Sequence, residues 1–148
     1  MARAYDVNVI QKMPSEFIIL AECNLVVSRG TGVFGYGDFL EHMSRLSRHP
    51  EFKPEYNHLV DCCGFTRLDV SQEQLEELGS RSIFQKDSRL AFVASSDIHY
   101  GLSRMLAVYR ELGVGQQTVV FREMTAALEW LGIPHGLHSK ILSEYSKQ

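Results

Sequence analysis

Apolar positions along this chain follow two rhythms, a period of two in short runs and a period near 3.6 in longer ones. "YDVNVIQ" (5–11) alternates and places Val7 and Val9 on one face, which predicts a strand. "EFIILAE" and "LVVSR" follow, separated by a turn at Cys23 and Asn24, with one bent strand as the alternative. No crossover helix fits between these runs, so they are expected to pair antiparallel. Beyond a glycine-rich loop, Phe39, Leu40, Met43 and Leu46 predict a helix over Asp38–His49, with Asp38 as N-cap and Pro50 and Pro54 beyond its end.

The second half alternates more regularly. "NHLVDCC" reads as a short buried strand, and Ser71 and Gln74 have the spacing of a capping box that opens a helix over Ser71–Gln85. "RLAFVAS" is a buried strand. Leu102, Met105, Leu106, Tyr109 and Leu112 then predict a helix over Asp97–Leu112, stopped by Gly113. "QTVVF" is the last strand, followed by a helix over Glu123–Leu131 that Gly132 and Pro134 close. Residues 135–148 read as a C-terminal tail or a short peripheral helix, outside a single domain at 1–134. Two or three leading strands and then α-β-α-β-α-β-α imply an α/β fold: a mixed sheet, antiparallel at its N-terminal strands, with parallel right-handed crossovers and about four main helices.

Composition narrows the function classes. The chain has 148 residues, 45% hydrophobic and 22% charged, the profile of a soluble globular domain. A net charge of -3, with no cluster of Lys and Arg, argues against nucleic acid as a partner. No apolar run approaches the ~18 residues of a membrane span, and the N-terminus lacks the apolar core of a signal peptide, so a cytoplasmic protein is expected. Three cysteines, two of them adjacent at 62 and 63, fit reduced thiols better than disulfides.

Four motifs suggest chemistry. "GTGVFG" (30–35) matches G-x-G-x-x-G, but the helical period starts several residues too late for a pyrophosphate on a helix N-terminus, so no cofactor is expected. His58, Cys62 and Cys63 do not make a metal site, because adjacent strand residues point to opposite faces, and His135 and His138 lack an acidic partner. Ser95 or Ser96 with Asp97 and His99 has the residue types of a hydrolase without a nucleophile elbow.

The fourth motif is the corner "SSDIHYGLSR" (95–104) itself. In parallel sheets ligands gather beyond the carboxyl ends of strands, which should bring together Asp61, Ser95, Ser96, Asp97, Tyr100, Arg104 and Arg122. These are the candidate ligand- or partner-binding residues; none is read as catalytic. A capped helix start, braced by Arg104 on Asp97, is the competing reading.

"HPEFKPEYNHLVDCCGFTRLDVS", "RLAFVASSDIHYGLSRML" and "VVFREMTAALEWLG" together resemble the bacterial STAS/SEC14-like family with the SpoIIAA-like fold, in segment order and spacing over most of residues 5–132. The resemblance implies a mixed sheet flanked by helices and a non-catalytic regulatory or ligand-sensing module. In the broader superfamily a serine in a D-S-S-G-like turn is phosphorylated by a partner kinase. Here "DCCG" keeps Asp61 and Gly64 but has cysteine at both serine positions. The SEC14-like name implies apolar or lipid ligands.

The expectation is a binding or regulatory module without enzymatic activity, cofactor or metal. Its partner is a protein or a small molecule, with a homodimer among the options. A carrier of an apolar or lipid-like molecule is the alternative, and a small hydrolase a further one.

Overall fold

The computed structural model of the protein describes residues 15–146. Within them β1 (Ser15–Leu20), a 3-10 turn (Ala21–Cys23) and β2 (Leu25–Gly35) lead into α1 (Tyr36–Ser47), β3 (Asn57–Asp69) and α2 (Gln72–Gly79). Then come β4 (Leu90–Val93), α3 (Asp97–Val114), β5 (Thr118–Phe121), α4 (Met124–Trp130) and α5 (His135–Ser146). The strands form one sheet in the order β1-β2-β3-β4-β5, with β1 antiparallel to β2 and the other pairs parallel. The expected strand at 5–11 lies outside the described residues.

This order decides where the helices lie. Parallel strands placed consecutively, each joined by a right-handed crossover, put every crossover helix on the same face. Accordingly α1, α2 and α3 cover one face, over Val26, Phe34, Leu90 and Phe92. The opposite face, with Leu25, Val27, Leu59, Ala91 and Val93, is covered by α4 and by Ile141 of α5. Alternation along each strand sorts these two sets. Residues 135–146 thus form a helix that contributes a buried side chain, 2% exposed at Ile141.

Several boundaries differ from the sequence reading. "GTGVFG" is strand rather than loop: β2 continues through it, paired with β3 from Arg29↔Asp61 to Gly35↔Asp69 across two register shifts. Close approach across the β2–β3 pair explains Gly30 and Gly64. A Cβ on Gly30 would sit 2.0 Å from Cε1 of Phe65, and one on Gly64 would sit 2.8 Å from the carbonyl oxygen of Gly30. The "DCCG" segment is likewise interior to β3, not a turn after a short strand.

Asp38 sits three residues inside α1, where its Oδ2 accepts the Gly35 N–H at 2.8 Å. The helix opening at Ser71 ends at Gly79 rather than Gln85. Arg110 takes up the carbonyls of Leu78 and Gly79 at 3.0 and 3.1 Å, and the chain turns away to bond Pro54. α3 runs past Gly113 and stops at Gly115, whose φ of 72° and N–H to Glu111 close the helix.

Candidate functional site

The strand-end corner forms, with a different brace. β4 and β5 are in register at Val93↔Phe121, so Arg122 emerges beside Ser95. Its Nη1 donates to Asp97 Oδ1 at 2.8 Å and to the Ser95 carbonyl at 3.1 Å, and its guanidinium lies 4.1 Å from the centre of the Tyr100 ring. Arg104, expected to brace Asp97, is exposed and makes no ion pair with it. Seven residues of helix separate the two by ~10 Å of rise, whereas Arg122 starts on the adjacent strand end.

Ser96 is the N-cap, its Oγ accepting the His99 N–H at 3.1 Å. That bond uses the backbone of His99. The ring itself is buried, edge-on to Phe65 at 6.2 Å. Asp61 accepts the Cys63 N–H at 2.9 Å, and Cys63 Sγ reaches the Val93 carbonyl at 3.9 Å. The corner thus joins Ser95, Asp97, Tyr100 and Arg122, with Asp61 on the neighbouring strand and Arg104 apart. It is a solvent-facing clamp, Asp97 being 93% exposed.

A recess lies elsewhere, between α1 and the α2–α3 pair. A cavity of about 290 Å³ opens there over β2, β3 and β4. Interiors are ordinarily filled to crystal-like density. This volume is near the lower end of small-molecule sites. Phe34, Phe39, Leu40, Phe65, Phe92 and Leu106 line its apolar part, and the exposed Ser44, Ser47 and Arg81 stand at its rim.

One wall is polar and continuous. Arg45 Nη2 donates to Ser15 Oγ at 2.9 Å, Ser15 Oγ meets His42 Nδ1 at 2.9 Å, His42 Nε2 meets Ser28 Oγ at 2.8 Å, and Ser28 Oγ meets His58 Nε2 at 2.7 Å. Ser15, Ser28, His42 and His58 all line the cavity and are at most 5% exposed. Burial, and then the charge of Arg45, lower the His42 pKa to about 4; burial, then His42 and Arg110, lower that of His58 well below the usual value. Both rings are therefore neutral at pH 7.

The contacts accommodate a chain of one polarity. An arginine only donates, so Ser15 accepts from it, and the Ser15 proton is then free to go to His42 Nδ1. His42 then donates from Nε2 to Ser28, and Ser28 donates to His58 Nε2. In that arrangement Ser15, His42 and Ser28 each give and take one bond, and the chain can present a donor or an acceptor to a molecule in the cavity after a tautomer change.

Arg110 adds charge. It lines the same cavity, its pKa is pushed down to about 10 by burial, and its partners are the neutral oxygens of Leu78, Gly79 and Gln116. Among the described residues it has no carboxylate partner, and the buried Gln116 Nε2 beside it has no hydrogen-bond partner.

Sequence reasoning missed this site because its polar wall comes from four elements spread over residues 15–58, with no motif. One signal was legible. Ser28 and His58 are polar residues at inward positions of otherwise apolar strands, and such residues require partners. Among the described residues no three His, Cys, Asp or Glu side chains converge as metal ligands. Contrary to the sequence reading, His135 has an acidic partner, Glu129 of α4 at 2.8 Å, while His138 bonds the Ile133 carbonyl at 2.9 Å. Nor is any helix among them long and apolar enough to cross a membrane.

No protein-family model matches the sequence, and no curated protein matches it. Among solved structures the chain is similar to an uncharacterized protein from the DUF3478 family with a SpoIIAA-like fold, from Shewanella loihica PV-4. The two share 17% identity over 79% of this chain and 93% of that one, with a TM-score of 0.53. At that identity the likeness carries the fold alone, and it agrees with the mixed five-stranded sheet: the chain has a SpoIIAA-like fold.

Proposed function

We propose that the protein is a non-catalytic binding module that holds a small, largely apolar molecule between α1 and the α2–α3 pair. The polar group of that molecule would sit on the Ser28–His42–His58 wall. The observation that carries this reading is the cavity of about 290 Å³ with aromatic walls and one hydrogen-bonded polar side. Apolar enclosure supplies affinity, and a few placed polar groups supply orientation. A hydroxyl or carbonyl suits the neutral histidines, and Arg110, bonded only to neutral oxygens among the described residues, favours an electron-rich or acidic group over a cation.

Binding without turnover is supported by the corner. Ser96 Oγ is engaged as a helix cap, and the His99 ring is packed on Phe65, so no activated nucleophile stands there. A regulatory role fits the same architecture. The Arg122–Asp97–Tyr100 clamp is the surface a protein partner would read, and the cavity is what a ligand would occupy. A cytoplasmic location is part of the proposal, supported by three free thiols, Cys23, Cys62 and Cys63.

The test is a fluorescence titration with N-phenyl-1-naphthylamine, a neutral apolar probe. The reading expects saturable binding at one site per chain, lost when Leu40→Trp fills the cavity and retained in Arg122→Ala. Binding unaffected by Leu40→Trp, or turnover in an esterase and phosphatase screen abolished by Ser96→Ala, would overturn it.

A further inference from the structure

The outer face of α3 carries a second feature unrelated to the cavity. Ile98, Met105, Val108 and Leu112 are 75%, 36%, 51% and 80% exposed, and they supply four of the five exposed large hydrophobic side chains among the described residues. With Gly101 they fall at 98, 101, 105, 108 and 112, successive steps of three and four residues. That is a heptad seam, the repeat by which one helix meets another. The inward face of α3 is already used by His99, Ser103, Leu106 and Ala107, which are buried, so the seam points directly away from the sheet.

We infer that this seam is a homodimer interface, formed by α3 packed antiparallel on α3 of a second copy about a two-fold axis between Leu106 and Ala107. Charge and size select this arrangement. Arg104 and Glu111 precede seam positions on the same flank, and both are exposed. In the antiparallel register Met105 meets Val108 of the second copy, and Leu112 meets the space left by Gly101. Arg104 then faces Glu111 of the second copy, and symmetry makes that pair twice.

On the other flank Leu102 faces Tyr109 of the second copy; both side chains are partly buried on the α2–α3 core. A parallel register would set Gly101 against Gly101 and would place Arg104 opposite Tyr109, forming no ion pair. The seam runs over fifteen residues, Ile98 to Leu112, or ~21 Å of helix. An interface of that length is smaller than the ~1,200–2,000 Å² of a standard stable complex, so the dimer is weak and concentration-dependent.

Sedimentation equilibrium of the full chain, from low micromolar to near-millimolar concentration, tests this through a charge swap. Arg104→Glu alone and Glu111→Arg alone should each weaken the dimer at least about tenfold, because each replaces two attractions by two repulsions. The double variant R104E/E111R should return to near wild-type affinity, and Val108→Lys should be monomeric. All three positions are exposed, so folding is retained, and circular dichroism checks it. A monomer across the whole range, or a dimer indifferent to the charge swap, overturns the inference. So does a monomeric wild type whose binding to phosphatidylcholine vesicles is abolished by Val108→Lys, which would assign the stripe to a lipid surface.

Discussion

Arg122 and Arg104 are both arginines near one corner, and only one of them is a brace. The Arg122–Asp97 pair is solvent-facing, at 46% and 93% side-chain exposure, so screening limits its worth. Arg122→Ala should therefore cost about 1 kcal/mol or less, including the lost contact with Tyr100. Arg104→Ala, measured at low micromolar concentration, should leave stability unchanged. Urea unfolding of the two variants checks this; a larger loss in R104A would reverse the assignment.

The buried histidines make a sharper prediction. Their folded pKa values are depressed, so between the unfolded value of 6.5 and about 4 the unfolded chain binds more protons than the folded one. The stability that neutral His42 retains above pH 6.5 is lost as pH falls through that window. The loss for His42 alone is on the order of 3 kcal/mol. Unfolding free energies at several pH values should show this slope, and it should flatten in His42→Gln.

At the scale of elements, two devices dominate. The capping box of α2 is complete: Ser71 Oγ accepts the Gln74 N–H at 3.2 Å, and Gln74 Oε1 accepts the Ser71 N–H at 2.9 Å. On a helix as short as Gln72–Gly79 this cap matters, and Ser71→Ala should cost about 1 kcal/mol by chemical denaturation. Gly30 illustrates the opposite case, where a missing side chain is the structural element. Phe65 fills its space and stacks on Phe34 at 4.8 Å between ring centres, so the ring cannot yield easily. Gly30→Ala should destabilise by roughly 1–3 kcal/mol, and much of the loss should return in the G30A/F65L pair.

Elements were also where the sequence was most and least informative. Ser71 and Gln74 announced a helix start because a cap is local chemistry. The end of α2 was not announced, since it depends on Arg110, some thirty residues away, reaching the last carbonyls. "GTGVFG" read as a loop because glycine weakens any local strand signal, whereas Gly30 is required by Phe65 across the ladder and Gly32 by its own φ of 68°.

For the whole molecule, consecutive parallel strands force α1, α2 and α3 onto one face, and a cavity opens where α1 stands off from the α2–α3 pair. The mixed sheet and its β-α order were legible from periodicity alone. The strand-end corner was legible too, as a cluster of polar residues close in sequence. The cavity was not, because a void leaves no residue pattern, and its polar wall joins residues from β1, β2, α1 and β3.

The most direct test of the central claim is the long-range ¹H–¹⁵N spectrum of the histidine rings at pH 7, with and without saturating N-phenyl-1-naphthylamine. His42 and His58 should be neutral, with ring-nitrogen shifts that move on binding while those of the exposed His135 stay fixed. Unmoved His42 and His58 signals, with the perturbation at backbone amides of Ser95, Ser96 and Asp97 instead, would place the ligand at the strand-end corner and contradict it.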